Sequence, residues 1–122
     1  MNPMNTVKQW KRTVLPLYGG TLSVKKTDGA DVLADAFNLI TGDRHREYSH
    51  PLDDYTQTRD IFETLTGVHL TVEQAILFMV SVKLSRLRTA ISEGRWHRDN
   101  VVDAAGYLGC LSMVVHAKTE AM

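Results

Sequence analysis

Residues 71–94, TVEQAILFMVSVKLSRLRTAISEG, decide the fold. Thr71 and Gln74 stand three apart at the head of an apolar run. That spacing predicts a capping box, in which each side chain satisfies the other's free backbone amide. The run that follows keeps a helical period and stops at Gly94, a residue suited to ending a helix. It is the longest and most apolar segment of the chain, which predicts that it lies at the centre of the molecule.

The flanking segments have the same character. In residues 28–42, DGADVLADAFNLITG, Val32, Leu33, Ala36, Phe37 and Ile40 share one helical face. Asp28 or Asp31 is expected to cap the start, and Gly42 to end it in a left-handed conformation. A second helix is expected at HPLDDY, with Pro51 in the first turn, where its missing amide costs nothing. Its apolar face is Leu52, Tyr55, Phe62 and Leu65, and Gly67 ends it. A fourth helix opens at RDN, residues 98–100, with Asp99 as the expected N-cap, and runs through VVDAAGYLGCLSMVVHAK. The fold predicted is all-α: a four-helix bundle over residues 28–122.

Residues 1–27 differ. They carry Lys8, Lys11, Arg12, Lys25 and Lys26 and no acid, whereas the whole chain balances 14 bases against 14 acids. Within this basic arm, TVLPLYGGTLSVKK alternates around Gly19-Gly20 and predicts a small β-hairpin, with Pro16 on an edge strand. The arm lacks the density of interleaved aromatics and bases expected of a dedicated nucleic-acid binder. No apolar run approaches the ~18 residues of a membrane span, so a cytoplasmic location is expected. The single cysteine, Cys110, excludes an internal disulfide and lies in an apolar run typical of core.

Two charges stand where a core would be expected. Lys83 has Met79 and Val80 one turn before it and Leu87 one turn after, and Arg86 and Arg88 cluster beside it. Asp103 lies a full turn inside the last helix, with Tyr107 one turn on. A charge between apolar turns is costly unless paired, so Lys83 and Asp103 are expected to face each other across helices three and four. Gly106 and Gly109 each cost about 1 kcal/mol in a helix interior and mark a close approach by a neighbouring element or a ligand.

The stretch DRHREYSHP, residues 43–51, is dense in polar and aromatic groups between two helices and is expected as a ligand-facing loop. With the other two segments it supplies a nucleotide-shaped set: Arg44, Tyr48, His50, Lys83, Arg86, Arg88, Asp99, Asp103 and Tyr107. Bases can hold phosphate, an aromatic ring can stack on a nucleobase, and a carboxylate can accept from a sugar hydroxyl. The histidines show no metal-binding spacing. Leu77, Leu84 and Ile91, seven residues apart on a second face of helix three, predict a homo-oligomer.

The motifs ITGDRHREYSHP, MVSVKLSRLR and HRDNVVDAAGY together resemble a family of small helical domains of unknown function frequent in bacteriophages. The resemblance covers residues 30–118; Ser49 stands where that family usually has glycine. More distantly the organisation is similar to the all-α nucleoside triphosphate pyrophosphohydrolases of the MazG and dimeric dUTPase group and to nucleotide-modification-associated phage domains. That likeness implies nucleotide binding, with Mg²⁺ held by paired acidic motifs if the protein hydrolyses. Asp99 and Asp103 match the second motif; the first carries Lys83 and Arg86 instead, with Asp60-x-x-Glu63 as a substitute. The implied roles are a nucleotide binder weak or inactive as a hydrolase, a sponge for a nucleotide signal of host defence, or a protein–protein adaptor.

Overall fold

The computed structural model describes residues 29–121, and among them the fold is all-α, as expected from the sequence. Four helices of three or more turns form the bundle: α1 (Gly29–Thr41), α3 (Pro51–Thr66), α4 (Val72–Ser92) and α5 (Arg98–Glu120), with a short α2 (Asp43–Tyr48) between the first two. The basic arm and the hairpin expected around Gly19-Gly20 lie outside the described residues.

Local chemistry accounts for most of the boundaries. Thr71 and Gln74 form the expected capping box, with Thr71 Oγ1 accepting from the Gln74 amide at 3.0 Å and Gln74 Oε1 from the Thr71 amide at 2.9 Å. Pro51 opens α3 behind His50, whose Nδ1 accepts from the Leu52 amide at 3.0 Å. Gly67 and Gly94 both take φ +74°, in the left-handed region that ends a helix at little cost for glycine. After Gly94 the Arg95 amide donates back to the Ala90 carbonyl and the Gly94 amide to Ile91, the two bonds of a Schellman ending.

Three boundaries depart from the sequence reading. Residues 43–48 are helical, so the polar stretch begins as a turn and a half of helix and only Ser49 and His50 connect. Gly42 is not left-handed: its φ is −102°, and glycine is required there because a Cβ would stand 2.8 Å from the Asn38 carbonyl oxygen. The N-cap of α5 is His97, not Asp99. Arg98 is already tied to Asp35 on α1 at 2.6 Å and Asn100 is buried, so tertiary contacts start the helix earlier and leave Asp99 in its first turn.

Helices α4 and α5 form an antiparallel pair. Glu73 meets Lys118 at one end and Lys83 meets Asp103 further along, so residue numbers rise on one helix as they fall on the other. Helix α1 instead runs in the same direction as α5, with Asp35 near Arg98 and Ile40 over Gly106 and Gly109. An added Cβ at Gly109 would fall 2.8 Å from Ile40 Cδ1 and one at Gly106 3.4 Å from Ile40 Cγ2. Gly109 therefore serves helix packing, one of the two roles its sequence position allows, whereas a Cβ at Gly106 would make only ordinary contact.

That close approach also rearranges the face of α1. The buried residues are Asp31, Ala34 and Ala36, whereas Leu33 and Phe37 of the expected apolar face are exposed. Ala34 and Ala36 are buried and Ile40 packs over the α5 glycines, while Leu33 and Phe37 point outward. Asp31 lies inside the first turn rather than capping it, buried, with its Oδ2 lacking a hydrogen-bond partner among the described residues. Helix α3 closes the other side. Tyr55 is buried edge-on to Tyr107 with ring centres 6.3 Å apart, and Phe62 packs on Phe78, but Leu65 points outward. Tyr55, Val72, Ile76, Cys110 and Val114 form the apolar core. None of the helices among the described residues is long and apolar enough to cross a membrane.

Candidate functional site

The pairing of Lys83 with Asp103 is present: Nζ lies 2.9 Å from Oδ2, with 16% of the lysine side chain and 33% of the aspartate exposed. The lysine is largely buried and the aspartate partly so, which distinguishes this ion pair from a fully solvated one. Two hollows open beside it, and Asp103 lines both.

The first hollow, about 350 Å³, is aromatic. Tyr48 and Tyr107 line it with Tyr55, and Gly106 and Cys110 form part of its floor on α5. Arg44 reaches in from α2, its side chain only 12% exposed, and donates to Asp54 Oδ2 at 2.6 Å. The guanidinium lies 5.1 Å from the centre of the Tyr55 ring and 5.9 Å from that of Tyr48, within cation–π range. Burial opposes its charge, but Tyr55 and Asp54 more than offset this and hold its pKa above the ordinary value. The same burial pushes the Tyr55 hydroxyl up to about 12 against the pull of Arg44, and raises the Cys110 thiol. Cys110 is thus placed as a buried core residue, with burial opposing its thiolate.

The second hollow, about 540 Å³, is basic and more open. Lys83 and Arg86 come from α4, Arg95 and His97 from the connection, and Asp99 and Asn100 from the start of α5. Arg95 is engaged by Glu93 and Lys83 by Asp103. Arg86 and Arg88 have no carboxylate partner among the described residues, and both are exposed.

Seven of the nine residues singled out from the sequence therefore line one hollow or the other: Arg44, Tyr48 and Tyr107 the first, Lys83, Arg86 and Asp99 the second, Asp103 both. His50 lines neither and is spent on the α3 cap; Arg88 lines neither and faces solvent. Asp54, Tyr55 and Arg95 also line the hollows but were not among the nine. The signal for Asp54 was its charge opposite Arg44, but ten residues of separation hides a contact that depends on the turn at Ser49. Tyr55 was visible only as an apolar-face residue.

Magnesium chemistry would need carboxylates that converge. Asp60 sits beside Arg59 and Glu63 beside His69, on the outer side of α3, and Asp103 is held by Lys83. Among the described residues no three His, Cys, Asp or Glu side chains gather in a way that could hold a metal ion. The acidic residues present do not fit the paired-motif metal site.

The fold and this divided site define a small helical domain built on an antiparallel pair with a charged contact at its centre. The chain belongs to the family described as Domain of unknown function (DUF6378), which matches residues 31–115. It is similar to the Gene 55 protein of Mycobacterium phage D29, 26% identical over 89 residues, covering 73% of this chain and 56% of that protein. It is similar also to the Gene 55 protein of Mycobacterium phage L5, 30% identical over 81 residues, covering 66% of this chain and 49% of that protein. The chain thus spans about half the length of these two relatives. No solved structure matches it. The bacteriophage resemblance read from the motifs is shared by both relatives.

Proposed function

We propose that this protein binds a nucleotide, with the base in the aromatic hollow and the phosphates in the basic one. One observation carries the reading: a tyrosine-lined hollow and a hollow lined by Lys83 and Arg86 lie on either side of the same ion pair. Tyr48 is exposed enough to stack on a base, and Tyr107 faces the same space. In that hollow the Arg44 charge is taken up by Asp54, so the space suits a neutral ring better than an anion. Arg86, without a carboxylate partner among the described residues, suits a phosphate.

Binding without turnover is the form these residues support best. Asp54 and Asp103, the carboxylates of the aromatic hollow, are held by Arg44 and Lys83 and act as acceptors rather than metal ligands. A phage protein of this kind would act as a sponge for a nucleotide signal, and any hydrolysis would be residual.

The test is calorimetry of the purified protein with a panel of ribonucleoside mono-, di- and triphosphates, with chromatography of the mixture for hydrolysis products. Binding with unchanged ligand is the expected result. Arg86→Ala should weaken it by about 1.5–3 kcal/mol, the scale of a charge-assisted hydrogen bond. Because Arg86 has no partner to strand, its removal should leave the melting temperature unchanged. No binding at millimolar nucleotide would overturn the reading and favour an adaptor whose polar groups are structural.

A further inference from the structure

Asp103 occupies the position between the two hollows, and its two oxygens are not equivalent. Lys83 takes Oδ2 at 2.9 Å, while Oδ1 has no hydrogen-bond partner among the described residues. The Asp103 side chain is one-third exposed, so this oxygen is reachable from a ligand.

A nucleotide has three parts in a fixed order, base, sugar and phosphate. With the base beside Tyr48 and Tyr107 and the phosphate beside Arg86, the group that passes Asp103 is the sugar. A carboxylate oxygen accepts hydrogen bonds and cannot donate them, so it favours a ring that offers hydroxyl donors. Lys83, with Nζ 2.9 Å from Oδ2, fixes the direction of the carboxylate and leaves the acceptor oriented.

We infer that Asp103 reads the ribose diol and makes the protein selective for ribonucleotides over their deoxy forms. The inference rests on the nucleotide reading above and extends it to the sugar. Loss of one hydroxyl leaves the acceptor without its donor, and a charge-assisted bond at a half-buried position predicts a difference of about 5- to 20-fold. Lys83 then has two separable roles: it contacts phosphate on one side and positions Asp103 on the other.

The experiment measures calorimetric affinities of GMP and AMP against their 2′-deoxy and 3′-deoxy forms. The parent protein should bind the ribose forms about tenfold more tightly than at least one deoxy form of each. The paired variant Lys83→Ala with Asp103→Ala removes both charges together, stranding neither, and its circular dichroism and melting curve report whether it folds. In it the ribose-to-deoxy ratio should fall to about one, whereas Arg86→Ala should weaken all forms and keep the ratio. Equal affinities for ribose and deoxy forms in the parent would overturn the ribose inference alone. A ratio that survives in the folded double variant would do the same. Absence of binding by every nucleotide would overturn the nucleotide reading and this inference with it.

Discussion

Lys83 on α4 and Asp103 on α5 meet at 2.9 Å at the point where the aromatic and basic hollows share a wall. The contact joins the two most intimately packed helices, so it belongs to the fold as well as to the site. Removing one partner leaves the other charge half-buried and uncompensated. Lys83→Ala should therefore lower stability by about 1–3 kcal/mol in a urea titration. The isosteric apolar pair Lys83→Met with Asp103→Leu should recover most of that loss, because replacing both charges removes the desolvation cost. If the pair variant is no more stable than the single one, the contact contributes through something other than charge.

Ser49 has φ 62° and ψ −156°, a conformation that is open to glycine and strained for other residues. Serine nonetheless stands there, between the helix bearing Arg44 and Tyr48 and the cap of α3. Ser49→Gly should raise stability by about 1 kcal/mol, read as an upward shift of the thermal midpoint. An unchanged or lower midpoint would mean that the entropy glycine adds to the unfolded chain outweighs the strain relieved.

The Tyr55 hydroxyl gives an alkaline signature. Burial raises it from 10.0 to about 12, with Arg44 acting in the opposite direction. Folding thus favours the neutral phenol. Its contribution is complete below the ordinary value and is lost as pH rises from about 10 through about 12. Stability of the parent should fall more steeply over that window than stability of Tyr55→Phe, in denaturant titrations at successive pH values. The ultraviolet absorbance of tyrosinate should show one residue ionising late.

Leu77, Leu84 and Ile91 are 45%, 50% and 55% exposed, and their seven-residue spacing on α4 lays them along one stripe. We propose that a second copy of the chain covers this stripe, since a repeat of seven is the spacing at which one helix meets another. Light scattering should give a mass above 13.7 kDa at high micromolar concentration, and Leu84→Glu should return the monomer. A parent protein that is monomeric under those conditions would remove the proposal.

What the sequence determined by itself was local. The Thr71–Gln74 box, the first-turn Pro51, and the endings at Gly67 and Gly94 each depend on residues within about one helical turn, where backbone geometry fixes which groups can meet. The Lys83–Asp103 pairing was legible for a related reason, because a charge between apolar turns has few ways to be satisfied. Tertiary structure decided the rest. Which face of α1 is buried depends on its packing over α5, where Ile40 meets Gly106 and Gly109 while Leu33 and Phe37 stay exposed. The start of α5 follows from Arg98 reaching Asp35 across sixty-three residues. Seven of the nine residues were divided between two hollows, with His50 drawn off to a cap and Arg88 left facing solvent. A helical period states which residues share a face; the free energy of close packing between helices chooses the face that is covered.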